Sequence, residues 1–187
     1  MTAITGLTPG IWNVDPTHSS VGFVARHMMV SKVRGRFGSI SGTITIAENP
    51  LESKVEATVD VASITTGDET RDAHLKSPDF FDVEKYPTMT LVSTGIEEKG
   101  RDKYLLHTDL TIKGITKPVD FEVEFEGVSG DPWGGTRAGF SAEAEVNRKD
   151  WGLEWNVVLE TGGVMLGEKV KLELDIQAVL QVPAVTA

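Results

Sequence analysis

Hydrophobic and polar residues alternate along most of the chain with a period of two. The alternation is clearest at residues 170–180, where Val170, Leu172 and Leu174 are separated by charged side chains. Because successive side chains of a strand point to opposite faces of a sheet, this pattern predicts strands with one buried and one exposed face. It predicts eight strands, at about residues 18–27, 34–46, 55–61, 88–97, 103–112, 119–126, 138–146 and 170–180.

Short turns containing Gly, Asp or Pro join most of these strands, for example Glu98–Arg101 and Gly130–Gly135. Short connections imply antiparallel neighbours, and eight amphipathic antiparallel strands form either a sandwich or a closed barrel. Glycines in a strand favour the kinks and bulges that let a sheet curl. Because the strand at 34–46 contains three of them, we predict an all-β fold, a single eight-stranded antiparallel barrel domain spanning residues 1–187.

Residues 67–76 break the alternation and predict a short helix in the connection between the third and fourth strands. Asp68 suits the position that caps a helix, and Pro78 ends it. Arg71 and His74 lie three residues apart, so they share one face of this helix. That face either presents polar groups to a ligand at the mouth of the barrel or belongs to a lid that Leu75, Phe80 and Phe81 hold in place.

Composition excludes several classes of function. The chain carries 18 Lys and Arg against 28 Asp and Glu, a net charge of −10, and it has no cysteine. Disulfides, thiol chemistry and cysteine-ligated metals are therefore excluded. The negative charge argues against nucleic-acid binding and against electrostatic docking on anionic membranes. No signal peptide or integral membrane segment is recognised, so a cytoplasmic location is expected.

No sequence motif indicates catalysis or a bound metal. The histidines His18, His27, His74 and His107 form no closely spaced pair, and no nucleophile or phosphate-binding motif is present. We therefore predict no catalytic residue, no metal ligand and no cofactor.

Small residues on the predicted buried faces bear on whether the barrel is filled. An eight-stranded barrel is just wide enough to be filled by side chains or to hold one small ligand. Ala25, Ala57, Ala142, Ala144 and Ala178 would leave space inside, whereas the phenylalanines and tryptophans would occupy it. The alternation alone leaves both interpretations open.

An ordered series of motifs covers nearly the whole chain. It begins with Trp12–Asp15 and His18-Ser19 and continues through the segment Ser63–Pro87, which contains Arg71-Asp72-x-His74-Leu75 and Asp79–Asp82. Leu110–Val119 follows at the expected spacing. In these motifs and their order the sequence resembles the YceI-like family, also described as polyisoprenoid-binding, lipocalin-like proteins.

The resemblance implies a lipocalin-like barrel whose apolar lumen binds a long isoprenoid lipid, either a polyprenyl phosphate or an isoprenoid quinone, without catalysis. It also implies a possible homodimer. The residues expected to line the lumen are Val21, Phe23, Ala25, Phe37, Val55, Ala57, Phe121, Phe140, Ala142 and Trp151. Those expected at the lipid head group are Arg71 and His74, with Arg148 and Lys149 as weaker candidates.

Trp151 stands where the family often has phenylalanine, and its larger ring is expected to narrow the opening or to contact a flat head group. Two alternative functions remain. One is an enzyme acting on an isoprenoid or a related small molecule, with His18, Asp72 and His74 as acid and base candidates. The other is a stress-linked interaction protein whose barrel is fully packed.

Overall fold

Eleven β-strands and one α-helix make up the part of the chain that the structure, a computed structural model, describes, namely residues 6–28, 30–157, 159 and 165–182. No helix among these residues is long and apolar enough to cross a membrane. The helix is α1 (Glu69–Lys76). The strands are β1 (Gly10–Val14), β2 (Ser20–His27), β3 (Ser31–Phe37), β4 (Ile40–Ile46), β5 (Lys54–Asp60), β6 (Ile64–Thr65), β7 (Thr88–Gly100), β8 (Lys103–Ile112), β9 (Ile115–Gly130), β10 (Thr136–Asn147) and β11 (Leu166–Leu180).

The strands close into a barrel with eight antiparallel positions. The order around the ring is β1, β4, β5, β7, β8, β9, β10 and β11, and the ring closes where Trp12 of β1 lies opposite Leu180 of β11. At one end β2 replaces β1 beside β11, β3 pairs with β2, and β6 pairs with β3. Three positions are therefore interrupted strands: β1 with β2, β3 with β4, and β5 with β6. The predicted eight-stranded antiparallel barrel is confirmed.

Strand ends shift by up to four residues from the sequence prediction, and two larger differences concern the break between β3 and β4 and the presence of β1. The single strand predicted at residues 34–46 is wrong at Gly38 and Ser39, which separate β3 from β4. There the backbone N–H of Gly38 donates to the carbonyl of Ser63 at 3.2 Å, so the chain bonds to the segment after β5 instead of continuing its ladder. Strand β1 was not predicted, because Trp12 is its only fully buried residue and five residues show no clear alternation.

The predicted helix is confirmed and lies between the third and fourth barrel positions. The carboxylate of Asp68 accepts a hydrogen bond from the backbone N–H of Arg71 at 3.0 Å and so caps the first turn. At the other end Ser77 bonds to the carbonyl of His74 at 3.1 Å, and Pro78 follows. The helix therefore begins and ends where the sequence signals placed it.

The interior of the barrel contains two hydrophobic clusters. One, which we call the closed-end cluster, lies where β1 and β4 pair, and its buried members are Leu7, Trp12, Ile44, Ile46, Phe125, Ala138 and Ala178. The rings of Phe125 and Phe140 pack there at a tilt of 49°, with centroids 5.6 Å apart. The other cluster surrounds the opposite half of the barrel and includes Phe37, Phe80, Phe121 and Trp151. Bulky side chains therefore close one end of the barrel.

The closed-end cluster predicts a large stability difference between two tryptophans. Trp12 is 0% exposed and its indole N–H donates to the carbonyl of Thr8 at 3.0 Å, whereas Trp133 is 81% exposed. We expect Trp12→Ala to lower the free energy of unfolding by about 3–5 kcal/mol in urea denaturation, because it leaves a cavity. Trp133→Ala should change it by about 0.5 kcal/mol or less. Equal effects of the two substitutions would contradict this assignment of the core.

Candidate functional site

A cavity of about 630 Å³ occupies the half of the barrel that the closed-end cluster does not fill. Its wall is almost entirely apolar, because the inward-facing positions of the strands around it carry aliphatic and aromatic side chains. The apolar lining residues from the strands include Val21, Phe23, Ala25, Val33, Phe37, Ile40, Ala57, Val59, Met89, Leu91, Leu110, Ile112, Phe121, Val146, Val170, Leu172 and Leu174.

Aromatic rings line the wall near β2 and β3. Phe23 lies across the pair from Gly35, and a Cβ atom at position 35 would be only 2.2 Å from the Phe23 ring. The centroid of Phe23 is 5.8 Å from that of Phe37, which meets Phe81 edge to face at 5.9 Å. Glycine at 35 therefore lets the Phe23 ring lie flat against the sheet.

The mouth of the cavity lies where β2 ends and α1 begins. Asp68 and Thr70, both exposed, line it together with His27. Trp155, from the connection between β10 and β11, lies on the same side as the helix. Most of the polar residues that line the cavity lie near α1. The full set is His27, Thr66, Asp68, Thr70, Arg71, His74, Thr90 and Arg148.

Arg71 is held at the mouth through Thr66. Its Nε donates to the Thr66 hydroxyl at 2.8 Å and its Nη2 to the Thr66 carbonyl at 3.1 Å. The Thr66 hydroxyl in turn donates to Asp72 at 2.6 Å. No carboxylate among the described residues forms a salt bridge with Arg71, so its Nη1 donors remain for another partner. The guanidinium is thus a positioned cation on the cavity wall.

His74 is fixed by aromatic neighbours and by one carboxylate. Its Nε2 lies 2.9 Å from Asp79 Oδ2. Its ring meets Trp155 edge to face at 4.6 Å and Phe80 at 5.1 Å. The imidazole therefore joins the helix to the connection that carries Trp155 and forms part of the rim.

Arg148 is buried and bonded almost wholly to the backbone. It is 5% exposed, and its guanidinium donates to the carbonyls of Gly167 at 2.8 Å, Trp155 at 3.1 Å and Leu166 at 3.2 Å, and also to that of Leu153. Burial lowers the pKa of this guanidinium. Since four of its five N–H donors are used, Arg148 primarily holds together the two ends of the connection between β10 and β11.

Comparison with known proteins agrees with this geometry. The family model of the YceI-like domain matches residues 12–178. The chain belongs to the YceI-like family. A UPF0312 protein of Staphylococcus aureus (strain MSSA476) is 42% identical over 161 residues, which cover 85% of this chain and 91% of that protein. One from Photorhabdus laumondii is 41% identical over 143 residues, 76% of this chain and 74% of that protein.

Solved structures share the fold of this YceI-like chain. BcnA of Burkholderia cenocepacia superposes with a TM-score of 0.77 at 24% identity, over 88% of this chain and 98% of BcnA. The YceI protein of Campylobacter jejuni gives 0.70 at 28% identity, covering 84% and 90%. A domain from Saccharophagus degradans that is described as polyisoprenoid-binding gives 0.71 at 16% identity, covering 93% and 100%.

Seven of the ten residues expected in the lumen line the cavity: Val21, Phe23, Ala25, Phe37, Ala57, Phe121 and Trp151. The other three do not. Val55 and Phe140 pack against the closed-end cluster, and Ala142 is buried beside the cavity without lining it. These three were placed on the correct face of their strands, but that face runs the length of the barrel and the cavity occupies only part of it. Contact of any of the ten with a ligand stays a prediction.

Trp151 does not narrow the opening as expected. It is almost fully buried, and its indole N–H donates to the carbonyl of Leu110 at 3.0 Å. The ring of Trp151, at the end of the short 3-10 helix Arg148–Trp151, forms part of the inner wall of the cavity. Arg71, His74 and Arg148 all line the cavity, and their contact with a lipid head group stays a prediction, whereas Lys149 pairs with Glu168 on the outside at 2.8 Å.

Sequence reasoning missed several lining residues outside the strands. Thr66 precedes the helix, Thr70 lies in its first turn, and Leu153, Trp155 and Met165 come from the connection after β10. The alternation cannot identify them because loop residues have no fixed facing period. The only available signal was the tryptophan itself, since a large apolar ring in a long connection usually packs against the core.

The acid and base candidates of the enzyme hypothesis lie apart. Among them only His74 lines the cavity. Asp72 is buried and accepts both the N–H and the hydroxyl of Thr66, and His18 lies at the closed end. Among the described residues no group of three His, Asp or Glu side chains is arranged to hold a metal ion. Of the three candidates, the cavity therefore presents only the imidazole of His74, which lies near Arg71.

A second polar cluster, at the closed end, borders a concavity of about 480 Å³. Arg137 bridges Asp15 at 2.5 Å and Asp131 at 3.1 Å, and His18 Nδ1 lies 2.8 Å from Asp15. Arg137 and His18 together hold the pKa of Asp15 well below its usual range. This cluster joins the connection between β1 and β2 to the hairpin between β9 and β10, so it links two segments at this end of the barrel.

The lowered pKa of Asp15 predicts a specific acid dependence of stability. A carboxylate with a depressed folded-state pKa stabilises the protein above the unfolded pKa, about 4, and this stabilisation is lost as the pH falls toward the folded-state value. Wild type should therefore exceed Asp15→Asn in unfolding free energy at neutral pH, and the gap should close below about pH 4 in urea titrations. Exposed Glu124→Gln should show no such gap, and a gap independent of pH for Asp15→Asn would contradict the assignment.

Proposed function

We propose that this protein binds a long isoprenoid lipid, a polyprenyl phosphate or an isoprenoid quinone, inside its barrel as a carrier or store, without catalysis. The observation that carries the proposal is the cavity of about 630 Å³ with an apolar wall and a polar group at its mouth. Ligand sites typically measure about 300–1,000 Å³. Membership of the YceI-like family and the shared fold with the polyisoprenoid-binding domain of Saccharophagus degradans support the proposal.

Burial of the lipid tail supplies the binding energy. A branched hydrocarbon chain has no polar group that needs a partner, and this wall offers almost none. Removing roughly 300 Å² of tail surface from water contributes on the order of 8 kcal/mol before the costs of ordering the chain. The lumen is therefore suited to a flexible apolar guest.

The polar end of the lipid would lie beside α1. Arg71 is the strongest candidate for contact with a phosphate or a quinone carbonyl, because Thr66 positions it and its Nη1 donors are unused by the described residues. His74 lies on the same rim. Arg148 is the weakest of the three, since backbone carbonyls accept four of its donors.

Binding is favoured over the two alternative functions by particular observations. An enzyme would need an acid–base pair facing the cavity, whereas His18 and Asp72 do not line it. A packed interaction protein would have no cavity. The homodimer and the cytoplasmic location stay predictions.

The proposal is tested by extracting the purified protein with organic solvent and identifying the lipid by mass spectrometry, followed by uptake of an added polyprenyl phosphate or ubiquinone. We expect Ala25→Phe, which places a ring in the lumen, to reduce uptake on the order of tenfold or more, because each excluded CH₂ group costs about 0.8 kcal/mol. Ala62→Phe, the same change at an exposed turn position, should bind as wild type does. A wild-type protein that holds and takes up no prenyl lipid would refute the proposal.

Arg71 separates the two candidate head groups. Arg71→Ala should weaken binding of a polyprenyl phosphate about tenfold, since a hydrogen bond to a charged group contributes about 1.5–3 kcal/mol. Binding of a quinone should change less, and Arg71→Lys should recover part of the phosphate affinity. Lys76→Ala, on the same helix but not in the cavity lining, serves as the control. Equal losses for both ligands, without a change in thermal stability, would contradict the assigned role.

A further inference from the structure

The cations of the chain are unevenly distributed in sequence. Residues 16–47 contain Arg26, Lys32, Arg34 and Arg36 and none of the 28 Asp and Glu residues, although the net charge of the whole chain is −10. This segment spans β2, β3 and β4, and all four cations lie on β2 and β3, which form the hairpin beside the cavity mouth. The hairpin is therefore locally basic in an acidic protein.

The fold places these four cations together on the outer face of the hairpin. Arg26 lies directly opposite Lys32, while Lys32, Arg34 and Arg36 are alternate residues of β3 and so share its outer face. All four are exposed. Arg34 pairs with Glu173 of β11 at 3.4 Å, and the other three form no salt bridge with any described residue. We call this group of four the basic face.

The far side of the barrel has the opposite charge. Strand β9 lies four positions around the eight-membered ring from β3 and β4, so it is diametrically opposite. Its outward residues Asp120, Glu122, Glu124 and Glu126 are all exposed. The protein therefore has a basic side and an acidic side.

The tip of the same hairpin is apolar. Val30 is 84% exposed and Met28 is 44% exposed, both in the turn between β2 and β3. Arg26 and Lys32 each lie two residues from this tip, so exposed apolar side chains and cations share one hairpin. That combination is typical of surfaces that bind at a membrane interface.

The tip is continuous with the cavity mouth. The backbone N–H of Met28 donates to the carbonyl of Met165 at 2.6 Å, and Met165, Ala25 and His27 all line the cavity. The backbone N–H of Met165 donates in turn to the carbonyl of Val157, and the Val157 side chain is exposed. A surface that contacts the tip therefore lies against the entrance to the lumen.

We propose that the β2–β3 hairpin docks the protein on an anionic phospholipid membrane, with the basic face against the head groups and the tip inserted among them. This proposal rests on the proposed function, because docking there would let an isoprenoid pass between bilayer and lumen without crossing water. A nucleic acid would be attracted by the cations but would give the exposed Met28 and Val30 no apolar environment, and an acidic protein would not account for the continuity of the tip with the cavity mouth. The net charge of the chain argued against docking on an anionic membrane, whereas this proposal rests on the local charge of the basic face.

The first test measures co-flotation of the protein with vesicles in the absence of isoprenoid. We expect binding to vesicles of phosphatidylcholine and phosphatidylglycerol that falls as NaCl is added, and weaker binding to phosphatidylcholine alone. The triple variant Arg26→Glu, Lys32→Glu, Arg36→Glu should lose about tenfold or more in affinity for the anionic vesicles. The control Lys54→Glu, Arg101→Glu, Lys103→Glu makes the same charge change at exposed sites of the closed end and should retain binding.

The second test examines the tip. Val30→Ser should weaken vesicle binding several-fold, whereas Trp133→Ser, at an exposed tryptophan of the closed end, should leave it unchanged. Equal losses from the two charge-reversal triples, or no vesicle binding by the wild type, would overturn the proposal. Salt-sensitive binding to RNA or to an acidic protein with none to vesicles would overturn it in favour of those partners.

Failure of docking and failure of the proposed function give different results. Isoprenoid uptake from detergent micelles by a wild type that does not bind vesicles refutes docking alone. Vesicle binding without uptake from micelles refutes isoprenoid binding and leaves a membrane-binding surface of other purpose. If both hold, the Arg26, Lys32, Arg36 variant should take up isoprenoid from micelles as wild type does, yet accept it more slowly from anionic vesicles.

Discussion

The closure of eight antiparallel strands into one barrel is the constraint on which the rest of the structure depends. A barrel of this size encloses a space that side chains can just fill, so the size of the inward residues decides whether it holds a guest. Trp12, Phe125 and Phe140 fill one end. In the other half, positions such as Ala25 and Ala57 lie among larger neighbours and about 630 Å³ stays free.

The same constraint explains why the helix and the long connection lie at the cavity end. Three of the eight barrel positions are interrupted strands, and the segments β2, β3 and β6 continue beyond the part of the ring that closes through β1. At the end of the barrel formed by β2, β3 and β6, the helix α1 and the side chains of Phe80 and Trp155 pack over the interior. The mouth is therefore built from the irregular parts of the chain, and its polar residues come from there.

Alternation in the sequence predicted which side chains face inward, and the glycines of residues 34–46 favoured the barrel, but neither could predict how deep each side chain lies. Phe121 and Phe140 have the same pattern around them, yet one lines the cavity and the other closes the barrel. Depth depends on the register between strands, which places Phe140 opposite Phe125, and on bulges such as the shift at Gly139. Neither has a signature in a single strand. The structural role of Arg148 also had no sequence signature, because the backbone carbonyls that accept its hydrogen bonds can belong to any residue type.

The net charge of the chain, −10, does not show where the individual charges lie on the surface. Electrostatic potentials at physiological ionic strength extend only about 8 Å, so a surface approaching the β2–β3 hairpin is affected by the four cations of the basic face more than by carboxylates across the barrel. The acidic strand β9 is not irrelevant to such an approach. It is repelled by the same anionic surface that attracts the basic face, and since the two lie on opposite sides of the ring, attraction and repulsion turn the molecule in the same sense. An acidic total and a basic face are therefore compatible, and together they would orient the mouth of the lumen toward an anionic membrane.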